Sequence, residues 1–435
     1  MTVTISPGKI SGTARIPGSK SHTIRALVIA GLAEGRSVIR APLESEDTAA
    51  CVRILRNLGV EIIEERTESG ELAQLVVQGA GPWLREPYDE LDCGNSGTTL
   101  YLALSLVALQ SFPVRLTGDE QLQRRTALPL LEALVSMGAR VEYHGKKGCV
   151  PLTIQGPIRG GEVSISCPTS QYLSSLLLAA PLSPRGITIN VPLLNERPYV
   201  GITLGWLQGQ GIHVDRDDWS RFTVAGGQGY SAAEVDVPAD FSSGTFLLVA
   251  AAITGSDLMV TGLDMEDSQG DKAVVGMLRN LGCRIDDVRN PVGLAVGGGS
   301  LSHLPGGEID LNATPDALPA LAILGTCCDA PLRLINVPQA RDKETDRIAV
   351  MASVLKSLGG RADELPDGLI VHPVRLSGGT ADSFGDHRVA MALAIAGLCA
   401  TGPVTTTNAA VAAVTFPGFY RLLESVGATI EVVEP

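Results

Sequence analysis

One phrase recurs six times in this chain, and its regularity limits the fold more than any other feature. An apolar helical stretch runs into a glycine and then into a short β-like run. It reads ILRNLGVEI around Gly59, LLEALVSMGARVEY around Gly138 and TLGWLQGQGIHVD around Gly211. It returns as VVGMLRNLGCRID around Gly282, VLKSLGGRAD around Gly359 and YRLLESVGATIEV around Gly427. Successive glycines stand 79, 73, 71, 77 and 68 residues apart. Each copy predicts a helix, a glycine just past its end, and then a strand.

A second phrase alternates with the first: a polar or glycine-bearing start, then about a dozen small apolar residues. SKSHTIRALVIAGLAEG begins at Ser19, NSGTTLYLALSLVAL at Asn95 and TSQYLSSLLLAAPL at Thr169. FSSGTFLLVAAAITG begins at Phe241, TPDALPALAILGTCC at Thr314 and DHRVAMALAIAGLCATG at Asp386. Ser, Thr, Asn and Asp are good helix caps, and bodies apolar on all sides predict buried helices. Each unit of roughly 70 residues therefore carries one buried and one amphipathic helix with strands between, a period too long for the common helical repeats. Three units precede residue 237 and three follow it, with VDVPAD (Val235–Asp240) as a crossing point. The expected fold class is α/β, in two similar lobes built around buried helices.

Composition narrows the function classes. The 34 Lys and Arg against 47 Asp and Glu give a net charge of −13, which argues against bulk attraction to nucleic acid or an anionic membrane. No apolar run approaches the roughly 18 residues of a membrane span. Met1–Ile16 has no apolar leader segment, so a cytoplasmic protein is expected. The eight cysteines show no C-x-x-C pair and no histidine ladder. They predict free buried thiols rather than a metal or redox site.

The unusual side chains crowd the helix starts. Lys20, Ser21 and Arg25 lie in the first buried helix, Asn95 to Thr98 open the second, and Thr169, Ser170 and Gln171 open the third. Asp386, His387 and Arg388 open the sixth. Lys343, Glu344 and Arg347 are expected to open the amphipathic helix of the fifth unit, with Lys343 and Arg347 on one face. A helix N-terminus offers free N–H donors and partial positive charge. Taken singly, these residues are ordinary caps and solvated ion pairs. Together, in an acidic chain, they suggest a pocket for small phosphorylated or carboxylated substrates.

PGSKSHTIRA, GNSGTT, TGDEQLQRR, TSQYL, RPYVGITL, PDALPALA, KETDR and DHRVAMA resemble, in order, the motifs of the 5-enolpyruvylshikimate-3-phosphate synthases. The resemblance runs from about residue 7 to residue 419. It implies two inverted α/β lobes of three βαβαββ units each, residues 1–18 with 238–435 and residues 19–237, with the substrate cleft between them. It implies transfer of the enolpyruvyl group of phosphoenolpyruvate to the 5-hydroxyl of shikimate 3-phosphate, with release of phosphate. Only small-molecule substrates are implied, with no metal, no organic cofactor, no nucleic acid and no membrane, and a monomer is expected.

The matched positions imply roles. Lys20, Arg125, Arg347 and Arg388 would hold phosphoenolpyruvate, with Gly97 admitting its close approach, Gln171 donating and His387 nearby. Ser21, Arg25, Thr169, Ser170, Gln171, Tyr199, Asp316 and Lys343 would hold the acceptor. Gln339 stands where the family usually has Asn. Asp316 is the implied base for the hydroxyl, and Glu344 the acid for the methylene carbon, with Lys20 assisting. Three positions depart from the pattern: Tyr101 replaces an Arg, Glu196 a Ser that meets the acceptor's phosphate, and Val414 a Lys. They leave open an enolpyruvyl transferase with another cyclic alcohol acceptor, or a catalytically silent anion-binding homologue. An ATP-dependent enzyme acting on nucleic-acid ends is disfavoured by the acidic charge and the lack of an ATP loop.

Overall fold

The six recurring glycines all have positive φ, from +72° at Gly211 to +115° at Gly138. Each lies two residues beyond the last helical residue and closes the same pair of hydrogen bonds. At Gly59 its own N–H donates to Arg56 O, and the next N–H, of Val60, reaches back to Leu55 O. The other five copies repeat this, from Gly138 and Ala139 to Gly427 and Ala428. This is the Schellman ending, and the left-handed residue it needs costs glycine least. It turns the chain straight from each amphipathic helix into the following strand.

The computed structural model describes residues 1–297 and 303–434. The chain divides into two compact units, Gly18–Val237 and Met1–Pro17 with Pro238–Pro435. The first contains helices α1 (Lys20–Leu32), α2 (Glu46–Asn57), α3 (Gly97–Val107), α4 (Leu128–Ser136), α5 (Ser170–Ala179) and α6 (Arg197–Gly209). The second contains α7 (Phe241–Thr254), α8 (Ala273–Asn280), α9 (Leu318–Thr326), α10 (Arg347–Ser357), α11 (His387–Cys399) and α12 (Phe419–Ser425). The odd-numbered helices are the second phrase and are buried almost throughout; the even-numbered ones are the glycine phrase.

Each unit holds three sheets, and all six follow one plan. In four of them the strand before a buried helix pairs in parallel with the strand after it, a βαβ crossover; in all six, two further strands add antiparallel. Gly161–Cys167 and Ile187–Leu194, joined through α5, are parallel in register Ser166 to Leu193. Three sheets borrow strands from far along the chain. Gly12–Arg15 pairs in parallel with Leu258–Thr261 after α7. Thr2–Ile5 sits between Val404–Thr407 and Ile430–Val433, and Glu234–Asp236 pairs with Ala33–Arg40.

The buried helices form each unit's core. In one unit α3 packs on α1 and α5; in the other α7, α9 and α11 pack pairwise. Their Ala, Leu, Ile and Val side chains are almost fully excluded from water, at about 1.5–3 kcal/mol for each large aliphatic. These helices are buried along their length, and their polar residues cluster at the N-terminal ends, where free N–H groups favour anions.

Two starts differ from expectation. α10 begins at Arg347, not at Lys343, because the Asp346 carboxylate caps it by accepting from Ala349 N at 3.0 Å. Lys343 and Glu344 therefore lie in the segment before the helix, and helical spacing does not set their geometry. α9 begins at Leu318, after a 3₁₀ turn over Pro315–Ala317 that carries Asp316. Pro315, which cannot donate a backbone N–H, fits the tighter entry turn.

Candidate active site

Each unit gathers its charged residues at the N-termini of its buried helices. In Gly18–Val237, Lys20 is the first residue of α1, and its ammonium lies 2.9 Å from Asp47 Oδ2 on α2. Arg25, one turn on from Ser21, is buried. Its guanidinium donates to Ser21 O at 2.9 Å, Thr203 Oγ1 at 2.8 Å, Ser174 Oγ at 3.3 Å and Tyr199 O at 3.2 Å. Burial lowers it to about 10, opposed by the influence of Tyr199. Three of these four bonds tie α1 to α5 and α6, so Arg25 is first of all a buried fastening.

At α3, the Ser96 hydroxyl accepts from Thr99 N, and Gly97 is the first helical residue. A Cβ on Gly97 would lie 3.1 Å from Arg125 Nη1 and 3.9 Å from Gln171 Oε1. The Arg125 guanidinium is oriented by a 2.9 Å bond to Asn95 Oδ1, and Asn95 in turn donates to Asp119 and Gln121. Gln171 Oε1 is buried and accepts no hydrogen bond. At α5, Thr169 caps the helix, and Ser170 is its first residue.

The other unit holds a tight ionic cluster. Arg347 is 1% exposed. Its guanidinium donates to Asp316 Oδ1 at 2.7 Å, Glu344 Oε2 at 2.5 Å and Asp386 Oδ2 at 2.8 Å. Burial alone would lower its pKa; the carboxylates of Asp386, Glu344 and Asp316 outweigh that and hold it above the usual arginine range. The second oxygen of Asp316 meets Arg388 Nη2 at 2.8 Å, so one carboxylate bridges two guanidiniums. Asp386 also caps α11 by accepting from Arg388 N, and buried His387 is that helix's first residue. Gln339 donates to Asn312 O while its Oε1 is buried without a donor. Lys343 is half-buried beside the cluster.

Glu344, Asp386 and His387 each bring one ligand atom within 4.8 Å of the others, the one such grouping among the described residues. Two of the three already serve Arg347, so a cation there would compete with a buried guanidinium. The arrangement as it stands suits anions: guanidiniums held rigid by carboxylates, at helix starts, next to amide and hydroxyl donors.

The model of the EPSP synthase (3-phosphoshikimate 1-carboxyvinyltransferase) family matches residues 5–423. The chain belongs to this family. It is 43% identical, over the whole of both chains, to the 3-phosphoshikimate 1-carboxyvinyltransferase of Acetivibrio thermocellus, and 43% identical over the full length to that of Ruminiclostridium cellulolyticum. The enzyme of that name from Halobacterium salinarum is 39% identical and matches 98% of this chain and 99% of its own. Among solved structures, the EPSP synthase of Acinetobacter baumannii matches all of both chains with a TM-score of 0.82 at 28% identity. The fold is thus the family's two-lobed α/β architecture, with three repeats in each unit.

The three departures have definite places. Tyr101 is buried on α3, its ring edge-on to Tyr172 at 5.1 Å, and its hydroxyl donates to Thr126 O. Val414 ends a 3₁₀ turn over Ala409–Val414 and is buried. Glu196 is buried at the start of α6. Among the residues that orient the charged side chains, Asn95 was singled out at the start of α3, whereas Asp47, Ser174 and Thr203 were not singled out individually. Asp47 holds Lys20, Asn95 holds Arg125, and Ser174 with Thr203 hold Arg25. Asp47 had one available signal, the capping sequence Ser45–Thr48 that fixes the start of α2.

Proposed function

We propose that this chain transfers the enolpyruvyl group of phosphoenolpyruvate to the 5-hydroxyl of shikimate 3-phosphate and releases inorganic phosphate. The observation that carries the reading is the cluster in which Asp316 bridges Arg347 and Arg388 while Glu344 rests on the same Arg347 guanidinium. It places two anion-binding cations beside two carboxylates able to move protons.

The chemistry assigns each part. Asp316 takes the proton of the acceptor hydroxyl as its oxygen bonds to C2 of phosphoenolpyruvate. Glu344, with Lys20 assisting, gives a proton to C3, so the double bond becomes a methyl group and a tetrahedral adduct forms. Loss of a proton from that methyl group and departure of phosphate from C2 restore the double bond. Lys20, Arg125, Arg347 and Arg388 hold the phosphate and carboxylate charges through the adduct and stabilise the charge that builds on phosphate as it leaves. Gly97, Gln171 and His387 line that end. Ser21, Arg25, Thr169, Ser170, Tyr199, Gln339 and Lys343 serve the acceptor.

On this reading the chain works as a monomer in the cytoplasm, where its eight cysteines stay reduced; among the described residues no helix is long and apolar enough to cross a membrane. The test is phosphate release from phosphoenolpyruvate with a panel of cyclic alcohols. Release that requires shikimate 3-phosphate supports the reading. Release with another alcohol and none with shikimate 3-phosphate overturns the acceptor assignment. No release with any alcohol sinks the transferase reading itself.

A further inference from the structure

The parallel strands Gly161–Cys167 and Ile187–Leu194 end side by side, so the segments that follow them, at Thr169 and at Glu196, are neighbours. A backbone and a side-chain bond lock them together: Asn195 N donates to Cys167 O at 3.1 Å, and Asn195 Nδ2 to Pro168 O at 3.3 Å. Glu196 is 2% exposed and adopts φ 57°, a left-handed conformation uncommon for a side chain of its length. It stands at the cap position of α6, yet its side chain makes no cap bond to that helix. It turns instead to the start of α5. One carboxylate oxygen, Oε2, accepts from Ser170 N at 3.1 Å, Ser170 Oγ at 2.9 Å and Thr169 Oγ1 at 3.2 Å.

A backbone N–H at the start of a ten-residue helix, with two hydroxyls converging on one point, is a cradle for an external oxyanion. Here the chain supplies the oxyanion itself, and holds it there on a left-handed residue. We propose that Glu196 sets the charge preference for the acceptor: its carboxylate is a built-in occupant of the cradle, and an acceptor that brings its own anionic group to α5 must displace it. This rests on the reading that Thr169 and Ser170 serve the acceptor. A cradle so filled weakens, without excluding, the binding of shikimate 3-phosphate, whose phosphate must first displace the carboxylate. Replacing Glu196 with a short neutral residue frees three donors for the phosphate.

The test is calorimetric titration of the native chain, Glu196→Ser and Glu196→Gln with shikimate 3-phosphate and with shikimate. Removal of the carboxylate is expected to tighten shikimate 3-phosphate binding tenfold or more in Glu196→Ser, with a smaller gain in Glu196→Gln. Shikimate, which lacks the phosphate, should gain no more than twofold. Affinity for shikimate 3-phosphate within twofold of native in the folded variants, or an equal gain for both ligands, overturns the proposal. Glu196→Gln, nearly the same shape, keeps the test valid if the Ser variant does not fold. Because binding is read directly, absent turnover would count against the proposed reaction without touching this result, and turnover with unchanged affinities would do the reverse.

Discussion

Arg347 and Asp386 are both buried, and they meet at 2.8 Å through the guanidinium Nε and a carboxylate that also caps α11. The pair therefore joins the start of α10 to the start of α11, where the residues proposed to handle substrate are placed. Taking one partner from a buried pair leaves an uncompensated charge, at about 3–5 kcal/mol. Arg347→Met takes one guanidinium from three carboxylates at once, while Asp316 keeps its bond to Arg388. It should lower the unfolding free energy, taken from a urea titration followed by far-ultraviolet circular dichroism, by an amount in that range. A loss below about 1 kcal/mol would mean that water reaches the cluster and screens it.

Asp316, Glu344 and Lys20 lie at the ends of elements rather than in a core. Asp316→Ala leaves Arg347 its bonds to Glu344 and Asp386, and Lys20→Met removes a partner of Asp47. Lys20→Met, Asp316→Ala and Glu344→Gln should keep their folds. Each should cut turnover by at least about 10²-fold, the usual scale of general acid–base effects. Near-normal phosphate release by any one of them would remove that residue from the mechanism.

Gly97 tests the phosphoenolpyruvate end. A methyl group there points at the tips of Arg125 and Gln171, which are flexible, so the fold should tolerate it. It would still fill space that the proposed substrate needs and press on the guanidinium. Gly97→Ala should raise the KM for phosphoenolpyruvate several-fold while changing that for the acceptor little. An equal rise in both would place Gly97 elsewhere in the reaction.

The helix-ending glycines give a cleaner stability test. A Cβ on Gly211 meets nothing within 4 Å, and its φ is +72°, so the cost of Ala there is conformational alone. Gly211→Ala should destabilise by about 1–2 kcal/mol, and Gly211→Asn by less, since Asn enters the left-handed region more readily. All three tryptophans, Trp83, Trp206 and Trp219, lie in the same unit, so their fluorescence in urea reads it directly. Equal stability of the Ala variant would mean that the chain relaxes out of the Schellman ending.

Period and glycine placement made the repeat legible, because a helix end that needs a left-handed residue writes glycine at a fixed offset. The buried helices were legible for a similar reason: a helix surrounded by core must be apolar on every face. The arginines at their starts were legible as charge in unexpected places. What keeps them there was not. Arg25 bonds to Ser174 and Thr203, which are 149 and 178 residues away, and no local pattern pairs them. Lys343 and Glu344 were expected on a helix because K-E-x-x-R has helical spacing. Asp346 is the better cap and starts the helix later. The departure at Glu196 could be read as a change of charge, but its direction could not. Only the adjacent strand ends turn that carboxylate toward α5.

Cys327 and Cys399 interact although they come from different helix ends. A hydrogen bond from Cys399 brings Cys327 down to about 7 against the opposing effect of burial, with Thr326 and Arg375 assisting. The same contact pushes Cys399 well up. The pair therefore gives up its first proton near neutrality, while burial holds Cys51, Cys167 and Cys328 up at about 12. Alkylation follows the thiolate, so its rate at a lowered thiol climbs with pH only as far as that pKa and then levels. Iodoacetamide should modify one site first, with a rate that rises through pH 6 and flattens above about 7. Cys327→Ser should abolish that phase, and Cys399→Ala should move its midpoint upward by removing the donor. A fast phase that persists in Cys327→Ser, or that keeps rising to pH 9, would show that another thiol reacts.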